Sequence, residues 1–131
     1  MTLKRVVVTG LGALTPIGNS IEEYWNALIN GKSGAAPITY YDTEKHKTKF
    51  ACEIKNFNIE DFIDRKEARR MDKFAQYAIV ASDEAIKDAG ITADNVDKYR
   101  FGVIWGAGIG GLETFQEEVL YYAKGDGTPK F

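Results

Sequence analysis

Two short apolar runs constrain this chain more than anything else in it: KRVVVT at residues 4–9 and FGVIWG at residues 101–106. Each is rich in β-branched or aromatic side chains, each is too short for a buried helix, and each leads straight into glycines. Runs of this kind read as parallel strands buried on both faces. Between and after them the period changes to that of helices. After the first run Ser20 and Glu23 form an S-x-x-E box, which predicts a helix from Ile21 with Tyr24, Trp25, Leu28 and Ile29 on its apolar face and Gly31 as its stop. Asp64 and Glu67 offer a second cap ahead of a long segment through Ala89, where Phe74, Ala78, Ala81, Ala85 and Ala89 recur every three or four residues before Gly90. Small side chains on one face predict a helix packed closely against its neighbours. Leu112, Phe115, Val119 and Tyr122 predict a last helix closed by Gly125.

One more strand is expected in KFACEIKNF, where Phe50, Cys52 and Ile54 alternate with Lys49, Glu53 and Lys55; residues 32–47 before it read as polar loop. Strands alternating with helices point to a layered α/β fold. Three strands and three or four helices are thin for a complete domain of that class, and the turn-rich tail KGDGTPKF adds nothing to the sheet. The sequence reads as cut.

Gly106, Gly108 and Gly111 fit G-x-G-x-x-G and follow an apolar run, the spelling of a dinucleotide-binding loop. That chemistry also needs an acidic residue at a strand end about 20 positions on, to hold the ribose. Asp126 has the spacing but lies in AKGDGTP, not after an apolar strand. After Gly10 and Gly12 the helix begins only at Ile21, with Pro16 between, so no helix N-terminus faces a phosphate there. The glycines are expected to serve tight turns and close backbone contact instead, and no NAD(P)H or other cofactor is expected.

Composition excludes several classes. The 131 residues are 44% hydrophobic and 27% charged with a net charge of −2, which is ordinary for a globular chain and leaves no nucleic-acid footprint. The single cysteine cannot form an internal disulfide and fits a reducing cytoplasm. MTLKRVVVTG is too short in apolar residues for a signal peptide, and no stretch approaches the ~20 of a membrane span. The chain is expected to be soluble and cytoplasmic.

VVVTGLGALTPIGN, DRKEARRMDKFAQYAIVASDEAIKDAG and GVIWGAGIGGLETF, taken in this order, resemble the opening strand and loop, the long helical segment and the next strand and turn of β-ketoacyl-acyl-carrier-protein synthases of the discrete, type II kind. The resemblance runs from end to end of the chain. It implies the N-terminal part of a thiolase-like α-β-α-β-α layered fold, a mixed sheet flanked by helices, with residues 1–131 as an incomplete segment of the first half. It further implies a homodimeric full-length protein, in which malonyl-acyl carrier protein loses carbon dioxide and its carbanion attacks an acyl thioester on a cysteine, helped by two histidines, a lysine and an oxyanion hole.

The family's cysteine and histidine motifs are absent, so no catalytic residue is expected in this chain, and it is expected to be inactive alone. Cys52 reads as a buried strand residue on the apolar face, away from the cationic or helix-terminal surroundings that activate a thiol. His46, between lysines in TEKHKTKF, reads as a surface residue, and one histidine builds no metal site.

Two features are left. Residues 65–73 carry Arg65, Lys66, Arg69, Arg70 and Lys73 against Glu67 and Asp72, a net +3, and on a helix Lys66, Arg69, Arg70 and Lys73 share one side. The charge alone also fits a solvated face, since Glu60, Asp61 and Asp64 cancel it locally. The resemblance implies that Lys66, Arg69 and Arg70 dock the acidic helix of acyl carrier protein. It also implies that Ile109, in GAGIGG, borders the acyl-chain pocket; core packing is the plainer reading. The chain is thus expected to be a segment of a fatty-acid-elongating synthase II. A type II polyketide ketosynthase, a non-catalytic carrier-protein-binding module and a nicotinamide-dependent oxidoreductase are the alternatives.

Overall fold

The computed structural model describes residues 3–125; Asp126 and most of the predicted tail lie outside them. In chain order the elements are α1 (Ile21–Ile29), β1 (Ala36–Pro37), β2 (Phe50–Ala51), a 3-10 turn (Ile59–Asp61), α2 (Arg65–Ala68), α3 (Lys73–Asp88) and α4 (Leu112–Lys124). β1 and β2 pair antiparallel, Ala36 opposite Ala51 and Pro37 opposite Phe50. The sequence expects only loop where β1 lies. Proline is tolerated there because a two-strand ribbon consists of edges, where its missing donor is not needed.

The loop after residue 10 is built against α3, and the reason is the absence of side chains on both sides. A Cβ at Gly10 would fall inside contact distance of the Ala85 carbonyl, and one at Gly12 inside contact distance of the Ala81 carbonyl. The alanine stripe of α3 and the two glycines are therefore two halves of one backbone-to-helix contact. Carboxylates of α3 then hold the loop's amides. Glu84 accepts from Ala13 N–H at 2.9 Å through Oε2 and from Ile21 N–H at 2.8 Å through Oε1, and Asp88 accepts from Leu11 N–H at 2.8 Å. Lys55 closes the far side by donating to the carbonyls of Pro16 at 3.2 Å and Gly34 at 2.5 Å.

The helix starts follow their caps. Ser20 accepts from Glu23 N–H at 3.2 Å; Glu23 reaches back to Asn19 N–H at 2.7 Å, one residue before the partner a capping box specifies. Gly31 and Gly90, with φ of 61° and 63°, end α1 and α3 in the left-handed conformation that glycine adopts without strain.

Three expectations are corrected. The long helix is two: after Ala68 the chain breaks, and Asp72, extended at φ −67° and ψ 157°, starts α3 anew. Gln76 stabilises the break by donating to the Ala68 and Met71 carbonyls at 3.0 and 3.1 Å. Residues 4–9 and 101–106 form no strand, and Val6, Val8 and Ile104 are 88%, 80% and 99% exposed. A strand requires a neighbour for its backbone groups, and among the described residues no segment hydrogen-bonds to either run. Cys52 is exposed, not buried. The ladder ends at Ala51, so no sheet holds the alternation beyond it. The Glu53 carboxylate accepts from the Thr39 N–H at 3.0 Å and hydroxyl at 2.7 Å.

Candidate functional site

The basic residues cluster where the helix breaks. Asp64 caps α2 by accepting from Lys66 N–H at 2.7 Å, which sets Lys66 in the first turn; Arg69 is the residue that closes α2, and Arg70 follows in the link to α3. Lys66, Arg69 and Arg70 are exposed, and none has an ion pair among the described residues. Arg65 differs, pairing with Glu60 at 3.2 Å. The sequence predicts that these cations share one helix face with Lys73, and the break between α2 and α3 overturns that. They form a patch around the α2–α3 link, while Lys73 opens α3.

Lys73 faces α4. Its ammonium donates to Glu113 at 3.0 Å and lies 4.4 Å from the centre of the Tyr40 ring. Desolvation works to lower the Lys73 pKa, but the hydrogen bond and charge of Glu113 outweigh it and hold the ammonium above its ordinary value. Beside it Asp72 accepts from the Thr114 N–H at 3.2 Å and hydroxyl at 3.0 Å. The Thr114 N–H, against some desolvation, keeps the Asp72 carboxyl below the usual carboxylate range. Gly111, with φ 74°, has no side chain to cap α4, and Asp72 of the neighbouring helix supplies the missing acceptor. Gly110 rests on the Phe74 ring, where a Cβ would come within 2.8 Å of Cε1.

The glycine-rich turn thus does end in a helix N-terminus, but the anion there is the carboxylate of Asp72, and Gly106 and Gly108 touch nothing within 4 Å of where a side chain would begin. Ile109 is 76% exposed on that turn, so the core-packing reading finds no support among the described residues. Sequence reasoning counted Asp72 only as a charge and passed over Thr114 and Glu113. The available signal was Gly111 itself, a helix start with no capping side chain.

Behind Lys73 lies a cavity of about 290 Å³ lined by Tyr40, Ile54, Phe57, Lys73, Gln76 and Tyr77. Phe57 stacks on Phe62 at 5.9 Å and meets Tyr77 edge-on at 5.3 Å. Burial, then the neighbouring Tyr40, push the Tyr77 phenol well above its ordinary pKa. No group of three or more His, Cys, Asp or Glu side chains is placed to hold a metal among the described residues. His46 is exposed beside Tyr41, their rings 5.3 Å apart. No helix among them is long and apolar enough to cross a membrane.

Comparison with known proteins gives the family of the chain. The family model for the β-ketoacyl synthase N-terminal domain matches residues 3–130. A 3-oxoacyl-[acyl-carrier-protein] synthase 2 of Staphylococcus aureus is 55% identical over 113 residues, covering 86% of this chain and 27% of the relative. One of Synechocystis is 46% identical over 115 residues, covering 88% and 28%. A solved type II polyketide ketosynthase, in complex with its acyl-carrier protein, superposes with a TM-score of 0.72 at 27% identity, covering 95% of this chain and 32% of that one. The chain spans little more than a quarter of the length of the curated relatives it matches.

Proposed function

The chain belongs to the β-ketoacyl synthase family as an N-terminal domain, and from that membership we propose that it is a segment of a 3-oxoacyl-[acyl-carrier-protein] synthase II acting in fatty-acid elongation. The observation that carries the reading is 55% identity to a synthase of that name across 113 residues. In the whole protein a cysteine thiolate contributed from outside residues 1–131 takes the acyl chain as a thioester. Malonyl-acyl carrier protein loses carbon dioxide, the resulting carbanion attacks the thioester carbonyl, and the thiolate leaves. Residues 1–131 form part of the first thiolase-like half, and the whole protein works as a homodimer in the cytoplasm.

Within this segment Lys66, Arg69 and Arg70 are assigned to docking of acyl carrier protein. Their exposure and their lack of ion pairs among the described residues support this, because a patch that meets an acidic partner has its charges free. Ile109 is assigned to the border of the acyl pocket; its exposure on the turn ahead of α4 leaves its side chain available to a bound chain. The similarity to a polyketide ketosynthase supports the second reading, the same condensation on a polyketide.

Carrier affinity of the intact protein tests the docking assignment. Reversing the charge at all three positions should weaken binding at least tenfold, and wild-type affinity should fall as the Debye length shrinks below about 8 Å. Unchanged affinity in the triple variant would return the patch to a solvated face. Condensation assays with fatty-acyl and polyketide donors separate the two readings.

A further inference from the structure

The patch assigned to the carrier and the turn assigned to the acyl pocket are joined by one set of contacts. Three consecutive residues at the start of α3 meet the start of α4: Asp72 with Thr114, Lys73 with Glu113, and Phe74 with Gly110. Lys73 stands three positions after Arg70, at the end of the basic link. Glu113 stands four positions after Ile109, across the Gly110–Gly111 pair. No residue of α4 is buried, and the side-chain hydrogen bonds from its first turn to α3 are those of Glu113 with Lys73 and Thr114 with Asp72.

We propose that this junction is a latch, in which Glu113 occupies Lys73 as an internal stand-in for the acidic partner, and that carrier binding at the link draws Lys73 away and frees the first turn of α4 together with the Ile109 turn. The proposal rests on the carrier-docking reading above. The physical case has three parts. The Lys73–Glu113 pair is partly exposed, at 39% and 49% of the two side chains, so it is weak and exchangeable. The partner's carboxylates would arrive beside Lys66, Arg69 and Arg70, so a local excess of acceptors competes with the single carboxylate of Glu113. Gly110 and Gly111 then allow the turn to swing with little resistance, because a glycine is the residue least confined by its own side chain. The result couples loading of the carrier to the mobility of the pocket's rim, and the coupling is reciprocal: whatever opens the latch raises carrier affinity by the same factor that the carrier opens it.

Backbone hydrogen exchange of residues 112–116 in the intact protein, with and without saturating holo-acyl carrier protein from a bacterial fatty-acid synthase, reads the latch directly. Carrier binding should speed exchange there threefold or more. Glu113→Gln should show fast exchange without carrier, no further rise with it, and carrier affinity raised about threefold to tenfold. Thr114→Val, which loses the hydroxyl contact to Asp72 and leaves Lys73 untouched, should move both readouts in the same direction. If carrier binds through the patch while exchange at 112–116 or the affinity of Glu113→Gln stays flat, the latch is overturned and docking stands. If carrier does not bind, or binds undiminished when Lys66, Arg69 and Arg70 are reversed, docking is overturned and the latch falls with it.

Discussion

Ile109 stands 76% exposed on the turn between Gly108 and Gly110, and that exposure decides what a substitution there should do. A buried isoleucine replaced by phenylalanine would overpack its surroundings by roughly 1–3 kcal/mol and cost every substrate alike. A side chain on the rim of an acyl pocket would instead shorten the pocket, and each methylene denied burial costs about 0.8 kcal/mol. Ile109→Phe in the intact protein should therefore spare short acyl donors and reduce kcat/KM for long ones by tenfold or more, with the melting temperature unchanged. A long-to-short ratio that does not move would remove Ile109 from the pocket. Other single residues were legible to different degrees. Gly10 and Gly12 could be read as close-contact glycines because the alanines they meet, Ala85 and Ala81, announce themselves by their helical spacing. Cys52 could not. Its alternation with Glu53 is real in the sequence, but the ladder stops at Ala51, and Glu53 is engaged by the hydroxyl and amide of Thr39, fourteen residues before it.

Helix starts are the most legible elements here because their determinants are local. Ser20 and Asp64 accept from amides two or three residues on, and both helices begin where those side chains place them. α4 begins at Leu112 for a reason no local pattern contains, since the acceptor for its Thr114 N–H is Asp72, forty-two residues before that threonine. The break in the long helix is hidden similarly: DRKEARRMDKF reads as continuous by periodicity, while Asp72 is engaged by Thr114 of α4 and Gln76 by the carbonyls of Ala68 and Met71 across the break. The capping of α4 by a carboxylate carries a pH dependence with a definite sign. The Asp72 pKa is depressed below its ordinary 3.8, so the stabilisation it contributes is complete above that value and is lost as pH falls through the lower, folded-state pKa. Lys73 is raised above its ordinary 10.5, so its contribution is complete below that value and lost as pH rises further. Between these limits the junction should be intact. The amide resonance of Thr114 should stay constant from about pH 5 to pH 9 and shift on acidification below 3.8; Asp72→Asn should abolish the acid transition. A transition at the same pH in the variant would assign it to another group.

At the scale of the molecule the described residues bury little that is large. Their buried apolar side chains are Ala27, Ala68, Ala78, Val80 and Ala81, while Leu3, Val6, Val8, Ile104 and Trp105 stand at least half exposed. The layered α/β class was legible from the order of strand-like and helical segments, because that order is written in periodicity alone. The sheet itself was not, because a buried parallel strand is a property of its neighbours as much as of its sequence, and residues 4–9 and 101–106 have no backbone hydrogen-bond partner among the described residues. Relatives about three times as long carry the same segment. The imbalance has a consequence for the 131-residue chain on its own. Covering Val6, Val8, Ile104 and Trp105 is worth about 6–12 kcal/mol at roughly 1.5–3 kcal/mol for each side chain, comparable with the cost of bringing two chains together. Unpaired β-branched runs also offer free backbone donors and acceptors to any second copy. The isolated chain should therefore associate. Light scattering after size exclusion at micromolar concentration should give a mass well above 14.6 kDa, and a dye that fluoresces on apolar surface should brighten in its presence. Glutamate at Val6 and Ile104 together should lower the mass toward that of one chain without disturbing α1 or α3, which touch neither run through a backbone hydrogen bond among the described residues. A wild-type chain that elutes as a dye-dark monomer would show that both runs are covered from within, as the buried strands their sequence predicts.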